Sequence, residues 1–163
     1  MGDERLQPTL RAGGPADIEA VATIWHDGWR DGHVGHVADE LVRLRTAAAF
    51  HDRAIEQLDV TTVAVVNDQV AGFTMLVDDE VEQVYVAADH RGSGIAALLL
   101  DDAQAQLAAA GSATAWLAVV AGNARARAFY SKRGWVDDGP IDYQAAGSGG
   151  PITVPCHRYS RPL

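Results

Sequence analysis

Glu80-Val-Glu-Gln-Val-Tyr-Val-Ala-Ala-Asp-His-Arg-Gly-Ser-Gly-Ile-Ala-Ala97 is the stretch whose reading decides the fold. Val81, Val84, Tyr85 and Val86 favour an extended chain. Gly92 and Gly94 remove side chains where the backbone must turn, and the alanine- and leucine-rich run Ile95 to Ala110 follows as a helix. A strand feeding such a turn and helix aims several free N–H groups at one point. The helix N-terminus adds partial positive charge there. The product is an anion site, and a diphosphate is its usual guest.

Three glycine-loop readings compete for that site. A Walker A loop needs G-x-x-x-x-G-K-[ST], and the chain has no such run. A dinucleotide fingerprint is closer, because Gly92-Ser93-Gly94-Ile95-Ala96-Ala97 fits G-x-G-x-x-A. That fingerprint wants an acid at the end of the next strand. Here the next strand, Ala113 to Val120, is followed by Ala121-Gly122-Asn123. The third reading is Arg91-x-x-Gly94-x-Ala96, which resembles the acyl-CoA binding motif of the GNAT superfamily of N-acyltransferases. A plain glycine turn that starts a helix is the bland alternative.

A second segment carries the same resemblance. Asn123-Ala-Arg-Ala126-Arg-Ala-Phe129-Tyr130-Ser-Lys132-Arg-Gly134-Trp135 is similar to the family run N-x-x-A-x-x-F-Y-x-K-x-G-F, with Trp135 for the last Phe. It begins 32 positions after Arg91, with a helix and a strand between, as the family arrangement requires. The resemblance covers roughly Pro8 to Leu163. It implies an α/β (α+β) fold in one domain, residues 1–163. The sheet would be mixed, of six to seven strands, splayed between the fourth and fifth and flanked by about four helices.

Composition fits such a protein. With 163 residues, one domain is the default. The apolar runs are too short to span a bilayer and no signal-peptide pattern opens the chain, so no membrane role and a cytoplasmic location are expected. A single cysteine, Cys156, rules out an internal disulfide and a cysteine-based zinc site. It reads as a core filler or, less simply, as a nucleophile. The net charge of −9, from 22 acids and 13 bases, disfavours nucleic acid as a partner. Five of the bases, Arg91, Arg125, Arg127, Lys132 and Arg133, cluster where the resemblance would put the phosphates of CoA. The remaining acidity would attract a cationic amine, or only keep the protein dissolved.

Along the chain, Met1 to Gln7 is a polar start expected to fray, and Thr9 to Ala12 reads as a strand broken by Gly13-Gly14-Pro15. Asp17 is a candidate N-cap, and Ile18, Val21, Ala22, Trp25 and Trp29 recur at helical spacing. Both tryptophans read as core or as ligand contacts. Gly28 to Asp39 reads as a mobile polar loop. His33 and His36 lie within it without an evident third ligand, so no metal is expected. Glu40 to Leu58 reads as a helix broken near Phe50-His51-Asp52. Val60 to Val66 and Val70 to Val77 form a hairpin about Asn67-Asp68. Gly111 closes the helix after the anion loop, Asn123 to Arg133 is a short helix, and Trp135 to Tyr143 and Ile152 to Tyr159 read as final strands.

The resemblance implies acetyl-CoA as co-substrate and direct attack by a primary amine of a small molecule. It implies cofactor contacts from Val84, Tyr85, Val86, Arg91, Gly92, Ser93, Gly94, Ile95, Ala96, Ala97, Asn123, Ala126, Phe129, Tyr130 and Lys132. Tyr130 would protonate the leaving thiolate, and the Val86 N–H would face the developing oxyanion. Glu82, with Glu80 close behind, would take the proton of the amine; a solvated acidic turn is the other reading of both. Trp29, His33 and His36 would line the acceptor side. Relatives that act on protein N-termini often carry Glu in the fifth strand, where this chain has Ala118. A homodimer is common among such proteins. A non-catalytic acyl-CoA sensor and an enzyme acting on a protein amine are the competing readings.

Overall fold

The computed structural model describes residues 7–163; the expected fraying before Gln7 lies outside them. Seven strands form one sheet in the order β1-β2-β3-β4-β5-β7-β6. These are β1 (Thr9–Ala12), β2 (Thr61–Val66), β3 (Gln69–Val77), β4 (Glu80–Val86), β5 (Thr114–Val120), β6 (Val136–Ala145) and β7 (Ile152–Pro162). Neighbours are antiparallel except β4 and β5. Those two run parallel because helix α4 (Ile95–Ala109) carries the chain between them. They meet in a single register pair, Glu80 with Trp116, and diverge beyond it. The mixed sheet and its splay are as the resemblance implies.

Among the described residues five α-helices flank the sheet, where the resemblance implies about four. Besides α4 they are α1 (Ile18–His33), α2 (Asp39–Leu44), α3 (Ala47–Glu56) and α5 (Ala124–Lys132). The extra one arises because the break expected near Phe50 falls at Arg45-Thr46. There the Thr46 hydroxyl accepts the Ala49 N–H at 3.1 Å and starts α3 afresh. Phe50 is instead mid-helix and fully buried. The expected loop from Gly28 is also shorter. Helix α1 continues through Gly28 and Gly32 to His33, leaving Val34 to Ala38 as the connection. Asp17 does not cap α1 through its side chain. Its carboxylate turns back to the Gly14 N–H at 2.8 Å and to Arg11 at 2.7 and 2.9 Å, and the Arg11 guanidinium holds it below the usual carboxylate range.

Apolar residues cover both faces of the sheet. On one side α1 and α3 pack Trp25, Phe50 and Phe73 into one cluster, each 0% exposed. Burial at that level is worth about 1.5–3 kcal/mol per side chain. On the other side α4 and α5 pack Leu100, Leu107, Tyr130 and Trp135 against β5 and β7. A smaller cluster seats Ile95 and Leu99 on Ala64 and Ala71. No helix of the described residues is long and apolar enough to cross a membrane.

Strand β4 carries a bulge that sets the site. Leu76 pairs with Val81 and Met75 with Gln83, so Glu82 is the extra residue. The insertion shifts the side-chain alternation by one position. Val81, Val84 and Val86 therefore share the α4 side, while Tyr85 joins the α1 side.

Candidate active site

The divergence of β4 from β5 opens two cavities that meet. The larger, about 710 Å³, lies over the start of α4 and is walled by Val84, Val86, Arg91, Gly94, Ala97 and Phe129 among others. The smaller, about 330 Å³, lies under α1 and α3 and reaches Glu80, Glu82, Arg45, Arg53 and Tyr143. Val84, Tyr85, Asn123, Ala126 and Tyr130 line both. The structure thus gives one passage with two chambers and a shared throat.

The floor of the larger chamber is main chain. Ala87 donates its N–H to the Ala71 carbonyl on the β3 side at 2.8 Å. Strand alternation then turns the amides of Val86 and Val84 the other way, toward the gap. Past β4 the backbone turns through Gly92 and Gly94, with φ of +76° and +86°. Side chains other than glycine rarely adopt those angles. A Cβ built on either would touch nothing within 4 Å, so it is backbone conformation, not crowding, that calls for glycine there. Gly94 is also the N-cap of α4 and leaves that helix's first N–H groups facing the chamber mouth. These are the parts of an anion cradle.

Of the five clustered bases, only Arg91 and Arg125 wall this chamber. Arg91 makes a 2.7 Å ion pair with Asp31 of α1, so it spans the mouth. Arg127 is spent on the Ala121 carbonyl, the Tyr159 hydroxyl and Asp137, and Arg133 on Asp101. Lys132 is exposed and lines neither chamber. Ser93 is likewise off the wall, its hydroxyl turned to the His90 carbonyl. Gly92, Ile95, Ala96 and Ala97 all line it.

Tyr130 stands in the throat at 8% exposure, its ring edge-on to Phe129 and Trp135. Its hydroxyl has no hydrogen-bond partner among the described residues. Burial pushes that hydroxyl well above the ordinary tyrosine value, so the phenol keeps its proton. Tyr85 faces it and is raised for the same reason. Two close approaches hold the throat open. A Cβ at Gly28 would meet the Tyr85 ring at 2.4 Å, and one at Gly32 would meet Asn123 Nδ2 at 2.9 Å. Asn123 itself is half committed, since its Oδ1 caps α5 by accepting the Ala126 N–H at 3.2 Å. Its Nδ2 is the part left to a ligand.

In the smaller chamber Glu80 is half-buried, and desolvation pushes its carboxyl up to about 7. The Tyr143 hydroxyl donates to Glu80 Oε1 at 3.0 Å and opposes part of that rise. Glu82 lies on the same wall, near enough to Arg53 for its charge to be felt there. His33 donates Nδ1–H to the Trp29 carbonyl at 2.8 Å and stacks on the Trp29 ring at 4.5 Å. Burial lowers its pKa to about 4, so the imidazole is neutral at physiological pH. Trp29 is thus both core and chamber wall. His36 parts from His33: it is exposed, packs on Gly122 and lines neither chamber. Cys156 lines the smaller chamber with its thiol pushed up to about 11 by burial, which makes it packing, not a nucleophile.

Arg45, Arg53 and Tyr143 are among the wall residues that escaped the sequence reading. A faint signal existed for one. Arg53 sits three positions after Phe50 and one before Ala54, on the stripe that α3 buries.

The model of the acetyltransferase (GNAT) family matches residues 19–135 of this chain. No curated protein matches it in sequence. Its fold is similar to that of a GCN5-related N-acetyltransferase of Rhodopseudomonas palustris. The TM-score is 0.75 at 22% identity, over 99% of this chain and 100% of that one. It is also similar to yncA of Salmonella typhimurium, solved with its cofactor acetyl-CoA, with TM-score 0.69 at 18% identity over 96% and 94%. A ribosomal-protein-alanine N-acetyltransferase of Brucella melitensis aligns with TM-score 0.70 at 21% identity over 95% and 99%.

Proposed function

Because the chain belongs to the GNAT acetyltransferase family, we propose that it moves the acetyl group of acetyl-CoA to a primary amine of a small-molecule acceptor. The observation that carries this reading is the two-chambered passage with Tyr130 in its throat and Glu80 in its smaller chamber. The amide-lined chamber takes the diphosphate at Gly92 to Ala97 and the pantetheine along Val84 and Val86. The acceptor occupies the smaller chamber.

The attacking amine must be neutral. Glu80, oriented by Tyr143 and with its carboxyl pushed up to about 7 by burial, takes its proton, since a base with pKa near the working pH is effective, and Glu82 on the same wall is the other candidate. The nitrogen adds to the thioester carbonyl, the Val86 N–H faces the oxyanion, and the carbon–sulfur bond breaks. Tyr130, still protonated, gives its proton to the departing thiolate. His33, neutral and fixed by Trp29, offers Nε2 as an acceptor on the acceptor side.

Titration with acetyl-CoA, followed by CoA release over a panel of amines, tests this. Saturable binding with amine-dependent release is expected. Binding without release on any amine would instead leave a sensor of acyl-CoA. Release only on protein N-termini or lysines would move the acceptor to a protein. The panel, run in buffered solution with purified chain, also shows whether a longer acyl group is accepted.

A further inference from the structure

On the premise of that transfer reaction, we propose that the acceptor carries a carboxylate as well as its amine, and that Arg45 and Arg53 hold the carboxylate in the smaller chamber. Arg45 lies just past α2 and is only 9% exposed. Of its five guanidinium donors, one is used: Nη2 donates to the Ala146 carbonyl at 3.0 Å. Among the described residues no carboxylate lies within ion-pair distance of it. A buried cation without an anion is costly, and removing the partner of a buried pair typically costs about 3–5 kcal/mol. A fold that keeps such a group facing a cavity has a use for it.

Arg53 approaches from α3. Its guanidinium lies over the Trp25 ring at 4.4 Å, which fixes its plane. Both arginines line the same 330 Å³ chamber as Glu80 and Glu82. The charges are sorted within it. Arg53 feels Glu82, whereas Arg45 feels no acid, only the repulsion of Arg53. His33 adds no charge, being neutral. With the acceptor's own ammonium set against Glu80 and Glu82 set against Arg53, the charge of Arg45 is the one left over. A singly charged carboxylate balances that excess, and a dianionic phosphate would overshoot it. The planar fork of a guanidinium also matches a carboxylate through paired donors. An amine at Glu80 and a carboxylate at the arginines describe an amino-acid-like acceptor.

The experiment compares matched triplets: free L-α- and ω-amino acids, their carboxamides, and the amines lacking the carboxyl group altogether. For the best acceptor, kcat/KM of the acid should exceed that of its carboxamide by about 100-fold, mostly in KM. Arg45→Met should shrink that ratio to below about 10-fold, and Arg53→Met is the second variant should Arg45→Met fold poorly. Acetyl-CoA affinity reports that either variant is folded. Equal turnover of acids, carboxamides and plain amines by the wild type would overturn the proposal. A calorimetric titration of the same triplets onto the CoA-bound protein separates it from the transferase reading. Acid-selective binding without CoA release would sink only the transferase; absence of acid-selective binding would sink this inference.

Discussion

Tyr143 and Glu80 lie 63 positions apart in the chain, and the phenol of the first donates a 3.0 Å hydrogen bond to the carboxylate of the second. The bond crosses from one half of the sheet to the other, beneath the point where β4 and β5 separate. It orients a carboxyl group whose proton affinity is set mainly by burial.

Glu80 should therefore link activity and stability in opposite directions. Transfer by the wild type should rise with pH through about 7. Glu80→Gln should lower kcat by about 100-fold or more, which a CoA-release assay reads directly. The folded protein binds this proton more tightly than the unfolded chain, whose carboxyl titrates at the ordinary 4.5. The stability this group contributes is thus full below pH 4.5 and lost as pH rises through about 7. Relative to wild type, Glu80→Gln should gain about 2 kcal/mol between pH 4 and pH 8 after allowance for solvent contact. Urea denaturation at the two pH values measures it.

Tyr130→Phe should keep the ring contacts with Phe129 and Trp135 and lose only the hydroxyl. Turnover should fall by about 100-fold while the Kd for acetyl-CoA stays within about threefold. Single-turnover kinetics decide whether the chemical step is the one slowed.

Gly28→Ala places a methyl 2.4 Å from the Tyr85 ring, which also contacts Phe73. A loss of about 1–3 kcal/mol of stability is expected, as for other overpacked interiors. Gly35→Ala, with nothing within 4 Å but a φ of +89°, separates crowding from backbone strain. Thermal unfolding of both should show the larger fall at Gly28.

Asp31 competes with a ligand's phosphates for Arg91. Asp31→Asn should tighten acetyl-CoA binding by about two- to fivefold at low salt, and the gain should shrink as salt is added. Arg91→Ala should weaken binding under the same conditions. Calorimetry at two ionic strengths checks the pair.

Much of this was legible in the chain itself. Arg91, Gly94 and Ala96, with Asn123, Phe129 and Tyr130 at the family's spacing, carry the resemblance, and the resemblance implies the splay between the fourth and fifth strands. The hairpin about Asn67 and Asp68 shows in its turn residues, both of which adopt positive φ. The bulge at Glu82 has no such mark: Glu80, Glu82 and Val84 read as one alternating face until pairing with β3 is known. Arg45 falls inside the run Glu40 to Leu58, read as a helix broken only near Phe50, until the structure shows α2 stopping at Leu44 and Thr46 starting α3. Tyr143 looks like any strand tyrosine, and its partner lies too far off in sequence to suggest itself. Local patterns fix local elements. What the chambers hold depends on side chains that only the closed sheet brings together.

The lone rung between Glu80 and Trp116 has a mechanical consequence. Four strands on one side and three on the other are stitched at one end and free at the other, like a book joined at one corner of its spine. A pantetheine arm lying along Val84 and Val86 would supply the missing stitches. Amide deuteration at those two residues should be fast in the empty protein and slow when CoA is present, and melting temperature should climb with CoA concentration as mass action requires.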